Sequence, residues 1–209
     1  MGAETVMEKF NVILASGSPR RKELLRLIFP EFEVFPSPFD EESLKMGDFT
    51  PETLAETLSR CKAEAVYNTI CNQNTNSINP LVIGGDTVVV SPEGEVMGKP
   101  RDAADAGRML GSLSGRCHQV ITGVSLFYRQ AGAEKSHTFS VLTKVWFYPL
   151  SEAEIAGYIE SGEPFDKAGG YGIQGLGGML AEKIDGDYWN VVGLPAGRLK
   201  RELTALGIL

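Results

Sequence analysis

Ser16-Gly-Ser-Pro-Arg-Arg21 closes an apolar run and opens a helix with two arginines in its first turn. Ser18 is a good N-cap, and Pro19 suits the first helical position. Cations at this end oppose the helix macrodipole, at a cost of roughly 0.3–1 kcal/mol each. Arg20 and Arg21, beside free N–H groups and the hydroxyls of Ser16 and Ser18, therefore point to a bound anion, and phosphate is the natural candidate. Asp86 is the second unusual residue: a carboxylate inside Leu81-Val-Ile-Gly-Gly-Asp-Thr-Val-Val-Val90 is costly to desolvate unless a cation or donors meet it. Two readings stay open, an Asp accepting backbone N–H bonds at a turn, or a metal ligand or general base that two glycines let a ligand approach. The run Asp40-Glu-Glu42 taken alone is a solvated loop. Together with Asp86 and an arginine-bound phosphate, Asp40 and Glu41 make a candidate Mg²⁺ site, because this ion prefers one or two carboxylates, waters and substrate phosphates. Lys99, in Gly98-Lys-Pro100 at a strand end, can reach a phosphate as a point charge.

Other candidates are weaker. Lys62 and Lys167 each read alone as surface lysines, although both stand among the substrate-binding candidates. The glycine-rich run 169–178 does not match GxGxxG after a strand and before a helix, and it lacks the GxxxxGK[ST] phosphate loop. Its glycines suit a backbone wrapped around a ligand, with Tyr171 and Gln174 as polar contacts. His118 beside Cys117 suggests nucleophilic chemistry, but neighbours on a strand point to opposite faces. No GxSxG elbow is present.

The elements that must position these residues follow from periodicity, caps and turn signals. Strands are expected over 10–15 and about 32–36, with a helix over 18–29 whose apolar face is Leu24, Leu25, Leu27 and Ile28. Thr50-Pro51-Glu52 opens a helix reaching about 70, and a polar loop over 71–80 reads as a surface insertion. A buried strand over 81–90 turns at Pro92-Glu-Gly94 into a second strand ending at 98–100. Asp102 caps a helix with the stripe Ala106, Met109, Leu110 and Leu113. Segments 117–129 and 138–149 suit an antiparallel ribbon, and Ser151 and Glu154 form a capping box for a helix to about 161. A short hairpin around Asp185-Gly186 and a terminal helix from Pro195 complete the chain. Strands and helices mix without strict alternation, so the expected class is α/β with a mixed central sheet flanked by helices.

The 209 residues, 43% apolar and 22% charged, fit a globular protein with a sizeable core, expected as one domain over 1–209. A net charge of −7 argues against a nucleic-acid polymer as partner, and basic residues are local, which favours a small anion. No apolar stretch approaches the ~20 residues that span a bilayer, and the N-terminus, with Glu4 and Glu8, lacks the shape of a secretory signal. Cys61, Cys71 and Cys117 form no CxxC pair and read as reduced packing residues, so a cytoplasmic location is expected. The apolar helix faces are compatible with a homodimer.

With those residues in view, the chain resembles the Maf family (septum-formation protein homologues), which are nucleoside triphosphate pyrophosphatases. The resemblance runs from about residue 11 to 205 and rests on several segments in order. They are Leu-Ala-Ser-Gly-Ser-Pro-Arg-Arg (14–21), Asp-Glu (40–41), Gly-Asp-Thr-Val-Val (85–89), Gly-Lys-Pro (98–100) and Pro-Phe-Asp-Lys-Ala-Gly-Gly-Tyr-Gly-Ile-Gln-Gly (164–175). Segments 113–123 and 190–195 add support. The resemblance implies two lobes with a cleft, in a fold related to the inosine triphosphate pyrophosphatases. It also implies a divalent metal, Mg²⁺ with Mn²⁺ as the alternative, and cleavage between the α and β phosphates. By position, Asp86, Lys99 and Glu41 become the catalytic group, with Glu41, Asp86 and Asp40 as metal ligands and Arg20 and Arg21 as triphosphate arginines. The Tyr-Gly-Ile-Gln-Gly form resembles the branch acting on dTTP and UTP, in which Arg20, Thr87 and Gln174 bear on substrate choice. Gly85 and Cys61 depart from the alanine and glutamate expected there. The implied function is house-cleaning hydrolysis of dTTP, UTP or modified pyrimidine triphosphates to monophosphate and pyrophosphate. The rivals are a nucleotide-sensing regulator of cell division and a related pyrophosphatase for methylated guanine nucleotides.

Overall fold

Helix α1 (Pro19–Arg26) starts where its cap dictates, with the Ser18 hydroxyl accepting from the Arg21 N–H. In this computed structural model, residues 10–44, 49–73 and 79–209 are described. Strands β1 (Asn11–Leu14), β2 (Glu33–Val34), β3 (Pro80–Val90), β4 (Val96–Met97), β5 (Cys117–Gln130), β6 (Ala133–Phe147) and β7 (Ala181–Asp185) form one sheet. Its order is β2-β1-β3-β5-β6-β7, with β4 on β3. Strand β1 pairs in parallel with β2 and β3, and the remaining pairs are antiparallel, so the sheet is mixed, as expected.

Helix α2 (Pro51–Asn72) covers the sheet over β3 and β5, burying Leu54, Leu58, Ala63, Val66 and Tyr67. Strand β3 then serves two further cores. Leu81 and Ile83 pack with Leu24 and Leu25 of α1 and with Leu199 and Leu203 of α6 (Ala196–Ala205). Val89 packs with Met109, Leu110 and Leu113 of α3 (Ala103–Leu113) and Tyr158 of α4 (Glu152–Glu160). Asp86 and Thr87 sit between those two groups, at the boundary of two lobes. The capping box of α4 forms in both directions.

Helix α2 lies unusually close to the sheet. A Cβ on Gly123 would stand 2.2 Å from the Ala55 carbonyl oxygen, and one on Gly84 would stand 2.5 Å from that of Ser59. Only a residue without a side chain lets the helix backbone settle there, and that depth brings Lys62 down to Asp86.

Several expectations need correction. Helix α1 stops at Arg26 rather than 29, because Leu27 is 60% exposed and cannot extend the apolar face. The supposed loop over 71–80 begins inside α2, β3 starts at Pro80, and residues 74–78 lie outside the described residues, as do 1–9 with Glu4 and Glu8. Strand β6 begins at Ala133, joined to β5 by a tight turn with φ of 52° and 77° at Ala131 and Gly132. No hairpin forms at Asp185-Gly186: β7 pairs with β6, and Asp187 caps α5 (Tyr188–Val192) by accepting from Trp189 and Asn190 N–H.

Candidate active site

A cleft of about 860 Å³ opens between the lobes. It is lined by Ser16, Ser18, Arg20, Arg21, Glu41, Lys62, Asp86, Thr87, Lys99, Lys167 and Gln174, all anticipated from sequence, and by Asp166, which was not. Asp40 does not line it; its carbonyl instead accepts from the Ser43 hydroxyl at 2.6 Å. Among the described residues, the lining of the cleft includes five cationic residues and three carboxylates, a local positive excess in a chain of net charge −7. Such a space suits a polyanion.

At its base, Lys62 Nζ contacts Asp86 Oδ1 at 2.5 Å and Glu41 Oε1 at 2.8 Å. Asp86 and Lys62 are nearly buried, and Glu41 is half-exposed at the rim. Lys62, weak in sequence, is therefore the hub of the cluster. The cation that a buried Asp86 requires is in the first place the chain's own.

Arg21 does not point into the cleft as a free phosphate ligand. Its Nε donates to Gly193 O at 2.9 Å, Nη1 to Ser16 Oγ at 3.3 Å and Nη2 to Thr87 Oγ1 at 3.0 Å. Burial lowers its pKa, and the charge of Asp86 acts in the opposite sense. Gly85, where alanine was expected, leaves room for this side chain: a Cβ there would lie 3.2 Å from Arg21 Nε. Hydrogen-bond direction behind Thr87 is fixed. Thr122 Oγ1 donates to the Asn190 carbonyl, so it must accept from Thr87, which in turn accepts from Arg21. Toward a substrate, Thr87 can only accept. Asn190 is fully buried and also donates to Val120 O and Thr143 Oγ1.

Across the cleft, Arg20 is within 4.0 Å of Asp166, and Lys167 Nζ donates to Asp166 Oδ1 and Glu163 O. Lys99 and Gln174 are exposed at the opening. Part of the glycine-rich run closes over the chain's own Glu163, while its residues Tyr171, Gly172, Ile173 and Gln174 line the cleft. Glu163 accepts from the N–H groups of Leu176 (2.9 Å) and Gly177 (3.2 Å). Sequence gave no warning of Glu163, because its partners lie 13 and 14 residues away in a loop without periodicity.

Tyr171 is also among the residues that line the cleft. Its hydroxyl meets His118 Nε2 at 2.7 Å inside an aromatic cluster with Phe147. Cys117 turns away, its thiol donating to the His118 carbonyl, so the Cys–His reading fails as strand geometry predicts. All three cysteines are free thiols. Burial holds His118 down from 6.5 to about 4. Between those values the unfolded chain binds a proton that the folded protein does not, so stability falls as pH drops through that window. At about 1.4 kcal/mol per pH unit, acidification from pH 6.5 to 5 should cost roughly 2 kcal/mol through this residue. Denaturant unfolding at the two pH values should show this loss, and His118→Gln should remove most of it. An equal pH dependence in both proteins would contradict the neutral, buried imidazole.

Glu41 and Asp86 converge on one cation, which is the donor set expected of a divalent ion shared with phosphates and water. Among the described residues no cluster of three or more His, Cys, Asp or Glu could hold a metal alone. Among them, too, no helix is long and apolar enough to cross a membrane.

Comparison with known proteins shows the family. The family model described as Maf-like protein matches residues 11–206. A dTTP/UTP pyrophosphatase of Carboxydothermus hydrogenoformans is 51% identical over 196 residues, covering 94% of this chain and 98% of the relative. A dTTP/UTP pyrophosphatase of Agathobacter rectalis is 48% identical over 204 residues, covering 94% and 98%. One of Aliivibrio fischeri is 50% identical over 184 residues, covering 88% and 92%.

Proposed function

The chain belongs to the Maf family, and on that premise we propose that it is a nucleoside triphosphate pyrophosphatase hydrolysing dTTP and UTP to the monophosphate and pyrophosphate. The observation that carries the reading is the Glu41–Lys62–Asp86 cluster at the base of a cationic cleft. A sensor of nucleotides needs cations for the phosphates but has no use for a buried carboxylate facing them.

Arg20, Lys99 and Lys167 neutralise the triphosphate at the cleft mouth, and Ser18 offers a hydroxyl there. Arg21 and Ser16 hold the floor, tying α1 to β3 and to Gly193, and Arg21 adds its charge from below. Asp86 orients the attacking water and accepts its proton, while Lys62 keeps the carboxylate aimed. A divalent cation (Mg²⁺, or Mn²⁺ in its place) held by Glu41 and Asp86 would supply charge neutralisation and polarise the scissile phosphoryl group. Gln174 presents a donor and an acceptor, matching the N3–H and O4 edge of uracil or thymine. The cleft residues named here all come from one copy of the chain, and one catalytic domain spans it. An enzyme acting on intracellular nucleotide pools works in the cytoplasm.

A panel of triphosphates with Mg²⁺ tests the proposal. dTTP and UTP should be turned over at least tenfold more efficiently than dCTP, dATP or 7-methyl-GTP. Preference for the methylated guanine nucleotide would move the chain to another branch, and binding without turnover would make it a sensor.

A further inference from the structure

We infer that Glu163 and Tyr158 form a clamp that fixes the position of Gln174, and so set the base preference of the cleft without touching the nucleotide. The inference rests on the functional reading above and deepens it. Glu163 Oε1 accepts from Gly177 N–H at 3.2 Å and from the Tyr158 hydroxyl at 3.0 Å, and Oε2 accepts from Leu176 N–H at 2.9 Å. Tyr158 in turn accepts from Gly172 N–H at 3.2 Å. Gln174 is thus held on both sides, two residues after Gly172 and two before Leu176. A Gly175 N–H to Gly172 carbonyl bond closes the turn between them.

Space around the clamp is equally restrictive. A Cβ on Gly175 would lie 2.4 Å from Glu163 Oε2, and one on Gly177 would lie 2.6 Å from the Tyr158 oxygen. The glycines are there so that the backbone can close over a carboxylate and a phenol. Tyr158 is buried, and its pKa is raised by that burial, so it stays a donor to Glu163. Burial of Glu163 opposes its ionisation, but the Gly177 and Leu176 N–H groups hold its pKa below the usual carboxylate value. An ionised carboxylate accepts from all three donors at once; an amide cannot. Lys167, which lines the cleft, meets Glu163 at the backbone carbonyl.

Glu163→Gln keeps the shape and turns one acceptor into a donor facing an N–H. Tyr158→Phe keeps the packing and removes both hydroxyl bonds. In the free full-length protein, hydrogen exchange at Leu176 and Gly177 should quicken at least tenfold in Glu163→Gln, a readout that needs no substrate. In both variants the ratio of kcat/KM for dTTP over dCTP should fall at least tenfold, through a higher KM for dTTP. Inhibition by inorganic pyrophosphate, which reports the phosphate end alone, should stay within twofold of wild type. The double variant should add little to either single one. Unchanged exchange, an unchanged dTTP to dCTP ratio, or a parallel loss of pyrophosphate inhibition would overturn the clamp as a base-setting device. If the wild-type protein does not hydrolyse dTTP, the functional reading falls, and the exchange experiment still decides whether the clamp exists.

Discussion

Asp86→Asn should lose dTTP turnover by about 10³-fold, within the range that removal of a general base produces, while the protein stays folded. The amide keeps the volume and an oxygen for Lys62, which also retains Glu41 at 2.8 Å. The expected stability cost is about 1 kcal/mol, or roughly 2–4 °C in melting temperature for a chain of this size. The loss should fall on kcat rather than KM, because phosphate binding belongs to Arg20, Lys99 and Lys167. Steady-state kinetics beside a thermal melt separates the two effects. Turnover of Asp86→Asn within tenfold of wild type would remove Asp86 from the proton-accepting role.

Gly123→Ala should damage fold and activity together. The new methyl group would stand 2.2 Å from the Ala55 carbonyl oxygen and 2.6 Å from Glu56 N, and both are backbone atoms of α2 that no rotamer change can move. The helix must lift. Overpacking of this kind costs about 3 kcal/mol, a fall of roughly 6–12 °C in melting temperature. Lys62 rides on the same helix two turns away, so a displacement near 1 Å at the catalytic pair should cost roughly 10²-fold in kcat. Gly111→Ala is the control: its Cβ would meet nothing within 4 Å, and it lies on an exposed face of α3. It should stabilise the protein by up to about 1 kcal/mol. Unchanged melting and turnover in Gly123→Ala would contradict the account of how α2 is seated.

Much of the site could be read from sequence because local chemistry marks it. Two arginines behind an N-cap and a carboxylate in an apolar strand are each conspicuous alone, a lysine before a proline is a weak signal by itself, and the cleft gathers all three. Their partners were less visible. Lys62 reads as surface because periodicity on α2 cannot show that Gly84 and Gly123 let the helix sink onto the sheet. Arg21 and Arg20 look equivalent in sequence, yet one turns inward to Gly193, 172 residues away, and the other to the cleft. Glu163 carries no local signal at all. The glycine run reads as backbone wrapped around a ligand; residues 171–174 line the cleft, and Leu176 and Gly177 close over the chain's own Glu163. In the fold, β7 was misread as half of a hairpin because its pairing partner, β6, lies more than thirty residues earlier in the chain.

A water activated at Asp86 should cleave the triphosphate between its α and β phosphates. The direct measurement is the product mixture from the wild-type protein with dTTP and Mg²⁺, resolved by anion exchange. Cleavage there yields dTMP and pyrophosphate in equal amounts; dTDP with orthophosphate would rule it out.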